Sequence, residues 1–136
     1  MNKTREDRIK DFHKAFGQGI HEKPTIEVLE LRRTLINEEI KELFADIETA
    51  ISHLKEGKTV PRDLYANMLK ELADVQVVVS GTSVALRPLK ELEEAFNRVH
   101  SSNMSKLGED GKPILRKDGK VLKGPKYFKP DLTDLI

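Results

Sequence analysis

Apolar residues recur along this chain with a helical period and never with the two-residue alternation of a half-buried strand. Ile9, Phe12, His13, Phe16 and Ile20 form a first short stripe, closed by Gly17 and Gly19. Pro24 and Thr25 open a long second segment, with Thr25 suited to N-capping and Glu27 in the first turn. Its stripe Ile36, Ile40, Leu43, Ile47, Ile51 and Leu54 stops at Gly57. A third segment starts at Pro61 and Asp63 and carries Leu64, Met68, Leu72, Val75, Val79, Thr82 and Leu86. Pro88 breaks it and is expected to start a fourth helix, with Leu89, Leu92, Phe96, Val99 and Asn103 on one face. The pattern predicts an all-α fold, a four-to-five-helix bundle over residues 1–104. Residues 105–136 are different. There Ile114 and Leu115, then Val121 and Leu122, flank Asp118-Gly119, which predicts a short β-hairpin tail lying against the helices or a partner subunit.

The length of 136 residues suits a single domain. The absence of cysteine removes disulfides and thiolate chemistry, and the charged start, Lys3 to Arg8, lacks the apolar run of a signal peptide. A cytoplasmic protein is expected. No stretch approaches the roughly 18 uncharged apolar residues of a membrane span. The formal net charge is +1, but its distribution is uneven. Eight acids face four bases between Glu27 and Glu56, whereas eight bases face three acids between Asn103 and Lys129. An acidic body with a basic tail, and only seven Phe and Tyr residues with no Trp, argues against a nucleic-acid binder.

Chemistry concentrates in the carboxylates. On a helical projection Glu38, Glu39, Glu42 and Asp46 share an arc beside the main apolar stripe, and Val28, Leu31 and Leu35 occupy that arc one or more turns earlier. An arc that begins apolar and continues as acids is expected to be a second packed surface. Glu71 and Asp74 pair on one flank of the third helix, ahead of a charge-free run from Val75 to Leu86, and no Lys or Arg is expected on that flank. Buried carboxylates must be protonated, paired or metal-bound. Oxygen ligands without His or Cys favour Mg²⁺ or Mn²⁺ over Zn²⁺. The alternative is a solvated, salt-bridging face. A di-iron carboxylate bundle would need Glu-x-x-His pairs, and Lys10, Gln18, Ala50 and Asn97 precede the four histidines by three.

Glu38-Glu39-x-x-Glu42 followed by Glu71-x-x-Asp74 resembles the signature of the all-α nucleoside triphosphate pyrophosphohydrolases, the MazG-like and phosphoribosyl-ATP pyrophosphohydrolase-like proteins. The segments Phe12 to Gly17, Leu31 to Leu35, Val99 to Lys106 and Asp118 to Lys123 are similar to the dUTPase-like branch, and to phage relatives acting on dGTP. The resemblance implies hydrolysis of a (d)NTP between the α and β phosphates. It implies that Glu38, Glu39, Glu42, Glu71 and Asp74 ligate Mg²⁺ or Mn²⁺, two or three ions per site, with Glu38 or Glu39 also deprotonating the attacking water. Phosphate contacts are expected from Lys106, Lys120 and Lys123, with Asn103 on a phosphate or the sugar. Phe12, His13 and Phe16 are candidates for the base, although each alone is more often core. The expected assembly is a homodimer or homotetramer, because the second arc and the uncharged run need covering. Two other readings stay open: a phosphoribosyl-ATP pyrophosphohydrolase, and a non-catalytic helical interaction module.

Overall fold

A computed structural model describes residues 2–136. Among the described residues there are four α-helices: α1 Arg5–Ala15, α2 Ile26–Lys55, α3 Arg62–Ala85 and α4 Leu92–Met104. The chain divides into two compact units, the first ending at Lys90 and the second comprising Glu91–Ile136. Among the described residues no helix is long and apolar enough to cross a membrane.

In the first unit, α2 and α1 both pack on α3. Thr25 caps α2 as expected, its hydroxyl accepting from the Val28 amide at 3.2 Å. Thr4 and Asp7 close a reciprocal capping box on α1. Gly57 adopts φ +72° just beyond α2 and lets the chain turn back into α3.

The α2–α3 pairing follows alternating steps of four and three residues. On α2 the positions removed from solvent include Arg32, Ile36, Glu39, Leu43, Asp46, Ala50 and His53; on α3 they include Leu64, Met68, Glu71, Val75, Val78, Thr82 and Ala85. Such spacing makes a coiled-coil-like seam between antiparallel helices. Arg32 lies across from Val78 and Thr82, Glu39 is near Asp74, and Asp46 meets Glu71. Advancing along α2 therefore means retreating along α3. Ile51 and Leu54, expected on the packed stripe of α2, are 37% and 61% exposed, because the seam rotates away from them toward Ala50 and His53.

The linker between α1 and α2 is fixed to the end of α3. His21 and Glu22 amides donate to the carbonyls of Val84 and Ala85 at 2.7 and 2.9 Å, and the Arg87 amide returns a bond to Glu22 at 2.9 Å. Pro88 does not open α4. It sits in a 3-10 turn, Arg87–Leu89, and α4 starts at Leu92.

In the second unit, Arg98 grips Asp134 through both terminal nitrogens, at 2.6 and 3.0 Å, and Ser102 donates to the Phe128 carbonyl at 2.8 Å. These bonds lay the C-terminal segment along α4. The Asp118-Gly119 reversal is present, with Gly119 at φ +87°, the Arg116 amide donating to the Lys120 carbonyl and the Leu122 amide to that of Ile114. Its pairing is limited to one isolated bridge, Leu115 with Val121, so the tail is a tight reversal and no sheet forms among the described residues.

Candidate functional site

The helical hairpin brings acids from two helices together. Glu39 and Glu71 occupy seam positions, and each hides one carboxylate oxygen, Oε2, that has no hydrogen-bond partner. Desolvation is the main reason that both carboxyls hold their protons above the usual carboxylate range. Neighbouring negative charge adds to it: Asp74, Glu42 and Glu38 act on Glu39, and Asp46 and Glu42 act on Glu71. Glu71 meets Asp46 as one acid meets another. A hydrogen bond joins them only while one carboxyl keeps its proton; with both ionised, the Glu71 oxygen has no donor.

Asp74 departs from expectation. Lys70, one turn earlier on α3, donates to its Oδ2 at 2.7 Å, so that flank does carry a base. Helical neighbours at i and i+4 are within reach of a lysine's flexible stem, even though Lys70 and its sequence neighbour Glu71 leave the helix about 100° apart. Lys70 is largely exposed and its contact is an ordinary surface ion pair, weak enough to be exchanged. Glu38 and Glu42 lie on the exposed edge of the cluster. Among the described residues no group of three or more His, Asp or Glu side chains is placed to hold a metal ion. The cluster is a row of carboxylates along the seam, and its two donorless oxygens carry a desolvation cost that no hydrogen bond offsets. Asp46, seven residues beyond Glu39, joins the cluster although the sequence pattern alone did not separate it from its arc.

Of the three residues expected to meet a base, only His13 is buried, at 3% exposure. Its Nδ1 donates to the Gly19 carbonyl at 2.7 Å, which assigns the hydrogen of that nitrogen because a carbonyl only accepts. Phe12 and Phe16 are 43% and 71% exposed and lean on each other with centroids 4.7 Å apart. Beside His13 lies Arg32, 7% exposed, within the segment Leu31 to Leu35. Its seven-residue offset from Glu39 was the available signal. Arg32 Nε donates to Thr82 Oγ1 at 3.1 Å and Nη2 to the Val78 carbonyl at 2.8 Å. Gly81 makes room for this guanidinium, since a Cβ there would overlap Nη2 and approach His13 Nε2 to 3.3 Å. Burial lowers the pKa of Arg32, with no carboxylate opposing that effect.

The expected phosphate contacts belong to the second unit. Asn103 is exposed in the last turn of α4, and Lys106 follows it. The Gly124 amide donates to the Lys106 carbonyl at 2.8 Å, which returns the chain carrying Lys123 to the α4 terminus. Lys123 Nζ lies 4.9 Å from the centroid of the Tyr127 ring. Lys120 is exposed at the reversal, where its amide donates to Asp118. Asn103, Lys106 and Lys123 are thus gathered at one end of α4, with Lys120 on the turn beyond. No family model matches the chain, and no curated protein matches it.

Proposed function

We propose that this chain is a metal-dependent nucleoside triphosphate pyrophosphohydrolase, releasing a monophosphate and pyrophosphate. The observation that carries the reading is the pair of donorless buried oxygens on Glu39 and Glu71, facing a common seam with Asp46 and Asp74 alongside. Glu38, Glu39, Glu42, Glu71 and Asp74 would hold Mg²⁺ or Mn²⁺, two or three ions in all. When bound, these cations supply Lewis-acid polarisation and compensate phosphate charge.

The protein's own groups divide the remaining work. Glu39, whose proton affinity is raised by desolvation, is suited to take a proton from the attacking water at neutral pH, with Glu38 one residue away as its alternate. Asp46 positions Glu71 from across the seam. Lys106, Lys120, Lys123 and Asn103 supply cationic and polar donors for the phosphates. Exposed Phe44, Leu69 and Leu72, at 60%, 70% and 54%, support self-association into a homodimer or homotetramer. The family resemblance favours a deoxynucleotide such as dUTP or dGTP.

Incubation with each (d)NTP and Mg²⁺ or Mn²⁺ tests the reading, with pyrophosphate as the expected product; orthophosphate alone refutes the proposed bond cleavage. The competing reading, a non-catalytic helical module, draws on the lack of three converging ligands. Under that reading Glu39→Gln and Asp74→Asn leave metal affinity unchanged.

A further inference from the structure

A cavity of about 310 Å³ opens between the α1–α2 linker, the first half of α2 and the end of α3. Arg32, His13, Gln18 and Glu22 contribute polar groups to its lining, and Val28, Leu31 and Leu35 form an apolar wall. The volume is at the lower end of the roughly 300–1,000 Å³ of small-ligand sites, fit for a flat ring and too small for a whole nucleotide. Arg32 is the unusual group in this lining. It is a nine-tenths-buried cation, and among the described residues no carboxylate lies within ion-pairing distance of it. Two of its three nitrogens are used by Thr82 and Val78. The third, Nη1, has no bond among the described residues, and it is not one of the buried polar atoms cut off from solvent. A buried guanidinium therefore keeps one pair of N–H donors unpaired in a cavity whose one carboxylate, Glu22, forms no ion pair with it.

The cavity and the acid cluster share one stripe of α2. Leu35 is one helical turn before Glu39, and Arg32 precedes Glu39 by two turns, about 10.5 Å along the axis. A ligand with a flat polar ring at one end and phosphates at the other would span the two.

We propose that this cavity receives the nucleobase of the substrate and that Arg32 Nη1 donates to a ring carbonyl. The proposal rests on the pyrophosphohydrolase reading and adds the specificity device. A guanidinium only donates, so it pairs with the oxo groups of uracil, thymine or guanine, whereas adenine offers it only weaker ring-nitrogen acceptors, with an amino donor beside N1 and N7 that repels it. Leaving such a buried donor unpaired is what makes a polar pocket selective.

The test has a catalytic arm and a binding arm. In the first, kcat and KM are measured for dUTP, dTTP, dGTP and dATP with Mg²⁺. We expect dATP to be poorer by at least about tenfold in kcat/KM, with the difference in KM. Arg32→Lys, which keeps charge but loses the fork, should reduce that discrimination to within about threefold. Because Arg32 also ties α2 to α3, a second variant, Leu31→Trp, narrows the cavity from a half-exposed position and should raise KM for every base. Circular dichroism verifies the fold of each variant. Equal use of dATP by the wild type, or an unchanged KM in folded Leu31→Trp, overturns the proposal while leaving pyrophosphate release intact. In the second arm, 2′-deoxyuridine and 2′-deoxyadenosine, which have no phosphate, are titrated against the full chain by NMR. Shifts at Gln18, Leu31 and Arg32 with deoxyuridine, and weaker ones with deoxyadenosine, support the cavity even if no triphosphate is hydrolysed, an outcome that would sink only the pyrophosphohydrolase reading. Absence of shifts there with either nucleoside counts against the base site.

Discussion

Replacing Gly81 by alanine sets two opposing effects against each other at one atom. In the interior of an ordinary helix the change stabilises by about 0.8–1.0 kcal/mol, because glycine gives up more backbone freedom than alanine. At this position the added methyl group would overlap Arg32 Nη2 and crowd His13 Nε2 at 3.3 Å. The guanidinium is the flexible end of a long side chain, but it is 7% exposed and held at 2.8 and 3.1 Å by Val78 and Thr82. Displacing it forfeits at least one bond from a charged donor, about 1.5–3 kcal/mol each. The loss exceeds the gain, and Gly81→Ala should destabilise by about 1–3 kcal/mol. Urea unfolding followed by helical circular dichroism measures this, and the midpoint should fall by roughly 0.5–1.5 M. Arg32→Met supplies the control, because the shorter apolar chain removes the overlap. In that background the same Gly81→Ala change should be neutral or stabilising, reversing sign in a double-mutant cycle. A wild-type background in which Gly81→Ala is neutral or stabilising would refute the proposed close approach of α2 and α3 at Arg32.

Three further outcomes are expected. Glu39 and Glu71 bind protons more tightly folded than unfolded, so without divalent cations their contribution to stability is greatest at mildly acid pH and is lost as pH rises above about 4.5, the ordinary value; thermal midpoints between pH 5 and 8 should decline less in Glu71→Gln than in the wild type. Adding Mg²⁺ or Mn²⁺ should raise the wild-type midpoint, more at pH 8 than at pH 5.5, and Glu71→Gln should abolish that rise and lower pyrophosphate release by about 100-fold or more. Gly124→Ala places a Cβ 2.7 Å from the Lys106 carbonyl oxygen and closer still to that of Leu107; both are backbone atoms that cannot swing away, so limited proteolysis should cut the 105–136 segment faster than in the wild type.

Helical periodicity and the Thr25 cap made α2 and α3 legible from the residues alone, because capping and amphipathicity are local properties. The start of α4 was not, since a proline suited to a first helical turn serves equally well in the 3-10 turn that precedes Leu92. The acid cluster was legible as two arcs. Its pairing across the seam was not, because the partner of Glu71 is Asp46 on another helix and depends on how the hairpin is aligned. Lys70 was missed because its stem crosses to Asp74 from a neighbouring column of the helix surface. His13 already stood on the first stripe, but its acceptor did not, and Arg32 escaped altogether. A polar residue can be buried only when specific acceptors meet it, and Thr82, Val78 and Gly19 become those acceptors only after the chain has folded.

The four-three spacing of the α2–α3 seam has a consequence for how the hairpin settles. Repeats of seven admit a neighbouring alignment, in which α3 slides two turns and Arg32 comes opposite Glu71 and Asp74. Opposite charges would then attract where the native alignment gives the guanidinium only neutral acceptors. Electrostatics alone thus rewards a slipped state. The connections at the two ends, the Glu56–Pro61 turn and the Glu22–Leu86 bridge, act as end stops that forbid it.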